Sequence, residues 1–282
     1  MSSRPNDSPR PGANGSASAG PPGVPDLVEH PVTARNLPGQ TVALATADEL
    51  IDRLAADLVI HAESCVREFG DFHLALSGGS TPQPLYERMM YDPNYRRLPW
   101  RRTHLWMVDE RCVPFDDPAS NFRFIDETIV DHADIPREQV HPIFATSPTA
   151  DVDYEKVIRE TLEWRERGQD RLDFVLLGMG PDGHTASLFP HTPPLHESSR
   201  LVVFNENPKV QPPRRVTMTY PLINAARFVA VLVTGASKTS MLRRVASGRE
   251  NLDELPILGI HPMSGELRWY LDGPACGVSA IE

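Results

Sequence analysis

Short apolar runs that break off into loops of glycine or charge limit this chain to one kind of architecture. FHLALS (72–77), THLWMV (103–108), LDFVLLG (172–178) and FVAVLV (228–233) have the length and composition of buried strands. Stretches with helical spacing separate them. Leu50, Leu54, Leu58, Ala62, Cys65 and Phe69 give residues 47–69 one core face, with Thr46 as cap and Glu49 placed to complete a capping box. A charged helix is expected over 151–167, another from Ser237 to Ala246, and a short one starting near Pro82 or Pro84. Further strands are expected at TVALAT (41–46), LVVF (201–204), RVTMTY (215–220) and around Leu267–Leu271. Strands alternating with helices build a parallel sheet. The expected fold is α/β: an open, mainly parallel Rossmann-like sheet with helices on both faces, in a single catalytic domain over residues 39–282.

Residues 1–38 are crowded with Pro, Gly, Ser and Ala and carry no apolar period, so a disordered tail is expected there. The stretch lacks the apolar core of a secretory signal. Composition narrows the partners. A net charge of −10 repels polyphosphate backbones and argues against nucleic acid. No run of 18 apolar residues exists to span a membrane. Cys65, Cys112 and Cys276 fit neither a paired nor a metal-ligand spacing, which points to inert thiols in a reducing, cytoplasmic setting. No H-x-x-E-H or H-E-x-x-H arrangement appears among the histidines, so no metal and no cofactor is expected.

Four loops at strand ends carry the chemistry, and open α/β sheets bind ligands at such ends. The turn Ser77-Gly78-Gly79-Ser80-Thr81-Pro82 combines two glycines, three hydroxyls and a helix start, the makings of an anion site. It lacks the lysine of a Walker loop, and Ala75 stands where a nucleophile elbow needs glycine. Asp109, Glu110 and Arg111 follow THLWMV directly, with Asn121 and Arg123 beyond, and Arg111 suits a phosphate or carboxylate. Gly178-Met179-Gly180-Pro181-Asp182-Gly183 imitates a dinucleotide fingerprint, with Glu206 as the distant acid. Pro190, Pro193 and Pro194 break the helix that fingerprint requires. The loop offers His184 beside Asp182 instead, an imidazole suited to taking a proton from water. Arg214, Arg215 and Lys238 supply positive charge, and Lys238 opens a helix where the dipole disfavours a cation unless an anion binds as well.

Together LALSGGSTP (74–82), WMVDERCVPFDDPASNFR (106–123), LDFVLLGMGPDGHTASLFP (172–190), PPRRVTMTYPLIN (212–224) and VTGASK (233–238) resemble the 6-phosphogluconolactonase family. The resemblance runs from about residue 40 to the C-terminus and implies a glucosamine-6-phosphate deaminase-like fold. It implies hydrolysis of 6-phospho-D-glucono-1,5-lactone, with His184 activating a water. Asp182, Asp109 and Arg111 would assist, and Ser77, Gly78, Gly79, Ser80, Thr81, Arg215 and Lys238 would hold the phosphate. The expected partner is that small sugar-phosphate lactone, bound by a monomer or small homo-oligomer. Glucosamine-6-phosphate deaminases of the same superfamily are the alternative. They carry Asp-Glu-Tyr where this chain has Asp109-Glu110-Arg111, and a glutamate where it has Phe189. Lactone opening needs no C2 proton abstraction, so the missing acid favours the lactonase. A non-catalytic sugar-phosphate sensor on the same fold is the third reading.

Overall fold

The computed structural model describes residues 27–278. The first 26 residues of the expected disordered tail lie outside the described residues. The remainder of that stretch packs on the domain. Pro31 bridges Leu44, Leu37 is buried, and the Pro38 carbonyl accepts a hydrogen bond from the Trp269 indole. Proline supplies these contacts without a ladder N–H, which suits a sheet edge.

Among the described residues ten strands sort into two sheets. In chain order they are β1 (Gln40–Leu44), β2 (Phe72–Leu76), β3 (Thr103–Met107), β4 (Asp109–Arg111) and β5 (Val140–His141). Then follow β6 (Phe174–Gly178), β7 (Val202–Glu206), β8 (Arg214–Met218), β9 (Phe228–Val233) and β10 (Glu266–Asp272). Seven of them form a parallel sheet in the order β1-β10-β9-β6-β2-β3-β5. Every residue of β2 and β9 is buried, so both faces of the central sheet are covered. From β2 the chain builds outward through β3 to β5, then returns to β6 and builds the other way. That reversal leaves a crevice between the carboxyl ends of β2 and β6, the place where open sheets take ligands.

The helix α1 (Ala47–Phe69) spans the segment that the apolar spacing marks out. Thr46 accepts from the Glu49 N–H at 3.2 Å, and Gly70 ends the helix in the left-handed conformation with its N–H on the Val66 carbonyl. The capping box is half made, because the Glu49 carboxylate pairs with His30 instead of the cap. Helices α2 (Gln83–Tyr91), α3 (Asn121–Ile125), α4 (Ala150–Leu162), α5 (Tyr220–Ile223), α6 (Thr239–Ser247) and α7 (Gly273–Cys276) follow, with short 3-10 turns between elements and a π-helical turn, Asp126–Val130, continuing α3. The charged helix stops at Leu162, short of the expected residue 167, and Arg165 beyond it turns in to the buried Asp173. No described helix is long and apolar enough to cross a membrane.

The second sheet departs from the sequence reading. It is antiparallel, in the order β4-β8-β7, and β4 comes from residues expected to form a loop. Val108 is the junction: its N–H goes to Leu76 of the parallel sheet, and its carbonyl receives the Met218 N–H. A chain leaving β3 is thereby captured by β8, and the side chains of 109–111 acquire the alternation of a strand.

Candidate active site

Strand alternation explains what the Asp-Glu-Arg run does. Asp109 and Arg111 share one face and line a cavity of about 310 Å³ over the β2–β6 crevice. Glu110 points the other way and is fully buried. Its carboxylate accepts from the N–H groups of Arg111, Asn121 and Phe122, each at 2.7 Å, and from the Ser120 hydroxyl at 3.0 Å. Glu110 therefore caps α3 from a distant strand. Burial outweighs those bonds and raises its pKa, with Asp109 adding to the rise. Glu110→Ala would strand several buried donors, each costing about 1–3 kcal/mol. We expect a loss of about 3 kcal/mol or more in denaturant unfolding, and a variant as stable as the wild type would refute the capping role.

The cavity gathers most of the residues expected from sequence. Ser77, Gly78, Gly79, Thr81, Asp109, Arg111, His184 and Arg215 line it, with Asn121, Met179, Gly180, Ser187, Phe189 and Val210. Ser77 closes the floor by donating to the Leu176 carbonyl of β6 at 2.8 Å, while the Tyr86 hydroxyl donates to the Ser77 carbonyl at 2.5 Å. Gly78 is required by contact: a Cβ there would come within 2.1 Å of the Asn121 amide oxygen. The helix start contributes less than expected. Pro82 and Pro84 have no N–H, and Gln83, Leu85 and Tyr86 donate to Ser80 and Pro82 carbonyls. The free donors belong to the turn itself: among the described residues no protein acceptor meets the N–H groups of Gly79, Ser80 and Thr81.

His184 is fixed by its own loop. Its Nδ1 lies 2.5 Å from Asp182 Oδ1, and its backbone N–H donates to the same oxygen at 3.2 Å. Burial opposes the Asp182 charge, but the hydrogen bond and charge of His184, with backbone N–H groups, hold its pKa below the usual value. An ionised Asp182 keeps the proton on Nδ1 and leaves Nε2 as the basic nitrogen. Gly180 makes room for the ring, since a Cβ at 180 would sit 2.1 Å from His184 Cε1. Phe189 flanks the imidazole with ring centroids 4.9 Å apart, so an apolar wall stands beside His184.

The basic residues separate. Arg111 and Arg215 are directly opposed across β4 and β8. Arg215 is 6% exposed, and its Nη2 donates to the Gln211 carbonyl at 3.3 Å. Arg111 Nη1 donates to the Ala119 carbonyl at 2.8 Å. The Nε of each is buried without a protein partner. Burial lowers the Arg215 pKa, Asp109 opposes the shift and Arg111 adds to it. Two opposed cations with spare donors gain from an anion between them. Arg214 faces away, stacked 4.1 Å over the Phe204 ring, and Arg123 turns to Glu127. Lys238 is not in the cavity wall. Its ammonium donates to the Met179 carbonyl at 2.7 Å, and burial lowers its pKa against the pull of Asp182. Ser80 is exposed at the rim, and Asp182 stands behind His184.

The dinucleotide imitation fails on topology. No long helix follows Gly183, and Glu206 lies on β7 in the antiparallel sheet. One group with metal-ligating atoms exists among the described residues, Asp71, His73 and His104, at the amino ends of β2 and β3. The Trp106 indole donates to His73 Nδ1 at 3.1 Å, so a neutral His73 carries its proton on Nε2, toward Asp71. That atom would ligate only after losing a second proton. The free thiols Cys65, Cys112 and Cys276 lie outside the cavity, and burial raises the pKa of each.

Residues 45–269 match the family model for glucosamine-6-phosphate isomerases/6-phosphogluconolactonase. The chain is 42% identical over 231 residues to the GDH/6PGL endoplasmic bifunctional protein of Homo sapiens, a match covering 81% of this chain and 29% of that protein. It thus spans less than a third of that relative's length. A 6-phosphogluconolactonase of Synechocystis is 38% identical over 239 residues, covering 84% of this chain and 96% of its own. Among solved structures, 6-phosphogluconolactonase from Thermotoga maritima aligns with a TM-score of 0.70 at 30% identity, covering 83% of this chain and 100% of that one.

Proposed function

The chain belongs to the glucosamine-6-phosphate isomerase/6-phosphogluconolactonase family, and on that premise we propose that it hydrolyses 6-phospho-D-glucono-1,5-lactone to 6-phosphogluconate, a step of the oxidative pentose phosphate pathway. The observation that carries the reading is an imidazole with its tautomer set by Asp182, in one cavity with Arg111, Arg215 and the glycine turn.

His184 Nε2 takes a proton from a water as the oxygen attacks the lactone carbonyl, then returns it to the ring oxygen as the tetrahedral intermediate collapses. Asp182 stabilises the imidazolium formed in between. The oxyanion develops near Arg111, whose guanidinium already lies against the cavity. The phosphate rests on the Gly79–Thr81 amides with Arg215 as its main cation. Lys238 supports the Met179 carbonyl from behind and reaches the phosphate only if its hydrogen bond is exchanged. Phe189 disfavours the deaminase reading, because it puts hydrocarbon where proton traffic at C2 needs an acid. We assign the reaction to the cytoplasm, a reading supported by three cysteines that stand free.

The test is a coupled assay in which a dehydrogenase generates the lactone and 6-phosphogluconate is followed above its spontaneous formation. Acceleration is expected. Ammonia release from glucosamine 6-phosphate would identify a deaminase instead, and binding without turnover of either sugar a sensor.

A further inference from the structure

We propose that Ser187 is a positioning residue that holds the Asp109 carboxylate as an acceptor for a substrate hydroxyl. Ser187 is 2% exposed, yet it lines the cavity, and three hydrogen bonds fix it. Its N–H donates to Thr217 Oγ1 at 3.1 Å, its carbonyl accepts from Asn205 Nδ2 at 2.7 Å, and its hydroxyl donates to Asp109 Oδ2 at 2.6 Å. Thr217 is the cross-strand partner of Asp109, so the serine is gripped by the strand pair whose carboxylate it grips in return. The preceding Ala186 has φ 49°, a left-handed conformation that costs an alanine energy and that this web of bonds sustains.

The consequence falls on Asp109. One carboxylate oxygen is committed to the serine, and among the described residues no protein donor reaches the other, Oδ1, in a side chain that lines the cavity. A short bond from a hydroxyl to a carboxylate is strong and directional. It holds the carboxylate in a fixed orientation, with Oδ1 turned to accept a hydrogen bond from a hydroxyl in the cavity. The ligand class is a polyol carrying an anion, because Arg215 and Arg111 stand beside the same carboxylate. This inference rests on the lactonase reading for the identity of the polyol.

The experiment compares wild type, Ser187→Ala and Ser187→Cys on the phosphorylated lactone and on its 2-deoxy, 3-deoxy and 4-deoxy analogues. Both variants should raise KM about tenfold, the lower end of what a hydrogen bond to a charged group supports, with kcat changed far less. The cysteine variant is near-isosteric and keeps only a weak donor, so it reads the loss if alanine impairs folding. On the analogue that lacks the contacted hydroxyl, the penalty should vanish. A second expectation is non-additivity: in an Asp109→Asn background Ser187→Ala should cost little more. An unchanged KM, or an equal penalty on all four lactones, overturns the proposal and leaves Ser187 as packing. If wild type shows no turnover, the lactonase reading falls by itself. Ser187 is then judged by calorimetric titration of 6-phosphogluconate, where equal affinity of wild type and Ser187→Ala overturns it.

Discussion

His184→Ala is expected to lower kcat by about 10²–10⁴-fold, the range that general acid–base help supplies, while KM stays within a few-fold. The imidazole has no part in holding the phosphate, so its loss falls on the chemical step. Two features make the effect large. Asp182 presets the tautomer, leaving Nε2 unprotonated and directed away from the loop. Gly180 lets the ring lie against bare backbone, which fixes its plane without strain. The alanine variant keeps Asp182 and the arginines, so residual catalysis from electrostatic stabilisation should remain above the uncatalysed rate. Initial rates at saturating lactone, corrected for spontaneous opening, decide the matter. A variant with near-normal kcat would remove His184 from the reaction and leave the glycine-rich loop without its proposed purpose.

How much of this was legible in the chain depends on where the partners of a residue lie. Helix α1 was readable because its period and its Thr46 cap are local. The DGH loop was readable because strand, glycines and histidine are contiguous. The strand β4 was not. Its three residues pair with Arg215, Val216 and Thr217, more than 100 positions away, and no local pattern announces so distant a partner. Reading Asp109, Glu110 and Arg111 as a loop hid the alternation that sends two of them to the cavity and one to the core. The residues by themselves offered Arg214 and Arg215 alike as positive charge, and only the family resemblance singled out Arg215, although neighbours on a strand must face opposite ways. Glu49 shows the limit in a local motif: the spacing of a capping box was present, but His30 outcompeted the cap. Lys238 was placed by its helix start, whereas its hydrogen bond to Met179 is a tertiary fact. Ser187 had no sequence signal beyond its nearness to His184, since its role depends on Asp109 arriving from another sheet.

Arg215→Met should reduce kcat/KM by about 10²–10³-fold, chiefly through KM, because it removes the cation we assign to the phosphate from a desolvated site. The sign of its effect on stability is the sharper part of the expectation. In the free protein this arginine is 6% exposed, makes one long hydrogen bond to Gln211 and leaves Nε without a partner. Arg111 opposes it across the strand pair. Burying a charge on such terms costs more than the contacts return, and a methionine fills much the same volume without a charge to desolvate. Asp109 keeps its bond from Ser187, so the substitution does not strand both carboxylate oxygens. The variant should therefore unfold at a temperature no lower than wild type, while losing the stabilisation that bound 6-phosphogluconate gives the wild type. Arg215→Lys separates charge from geometry: it keeps the cation but loses the planar fork, and intermediate affinity is expected. Thermal scans with and without 6-phosphogluconate, read beside the kinetics, distinguish the outcomes. A methionine variant that melts well below wild type would make Arg215 a structural residue. One that melts normally and is still stabilised by 6-phosphogluconate to the wild-type extent would move the phosphate elsewhere in the cavity, with Lys238 and the Gly79–Thr81 amides as the next site to test.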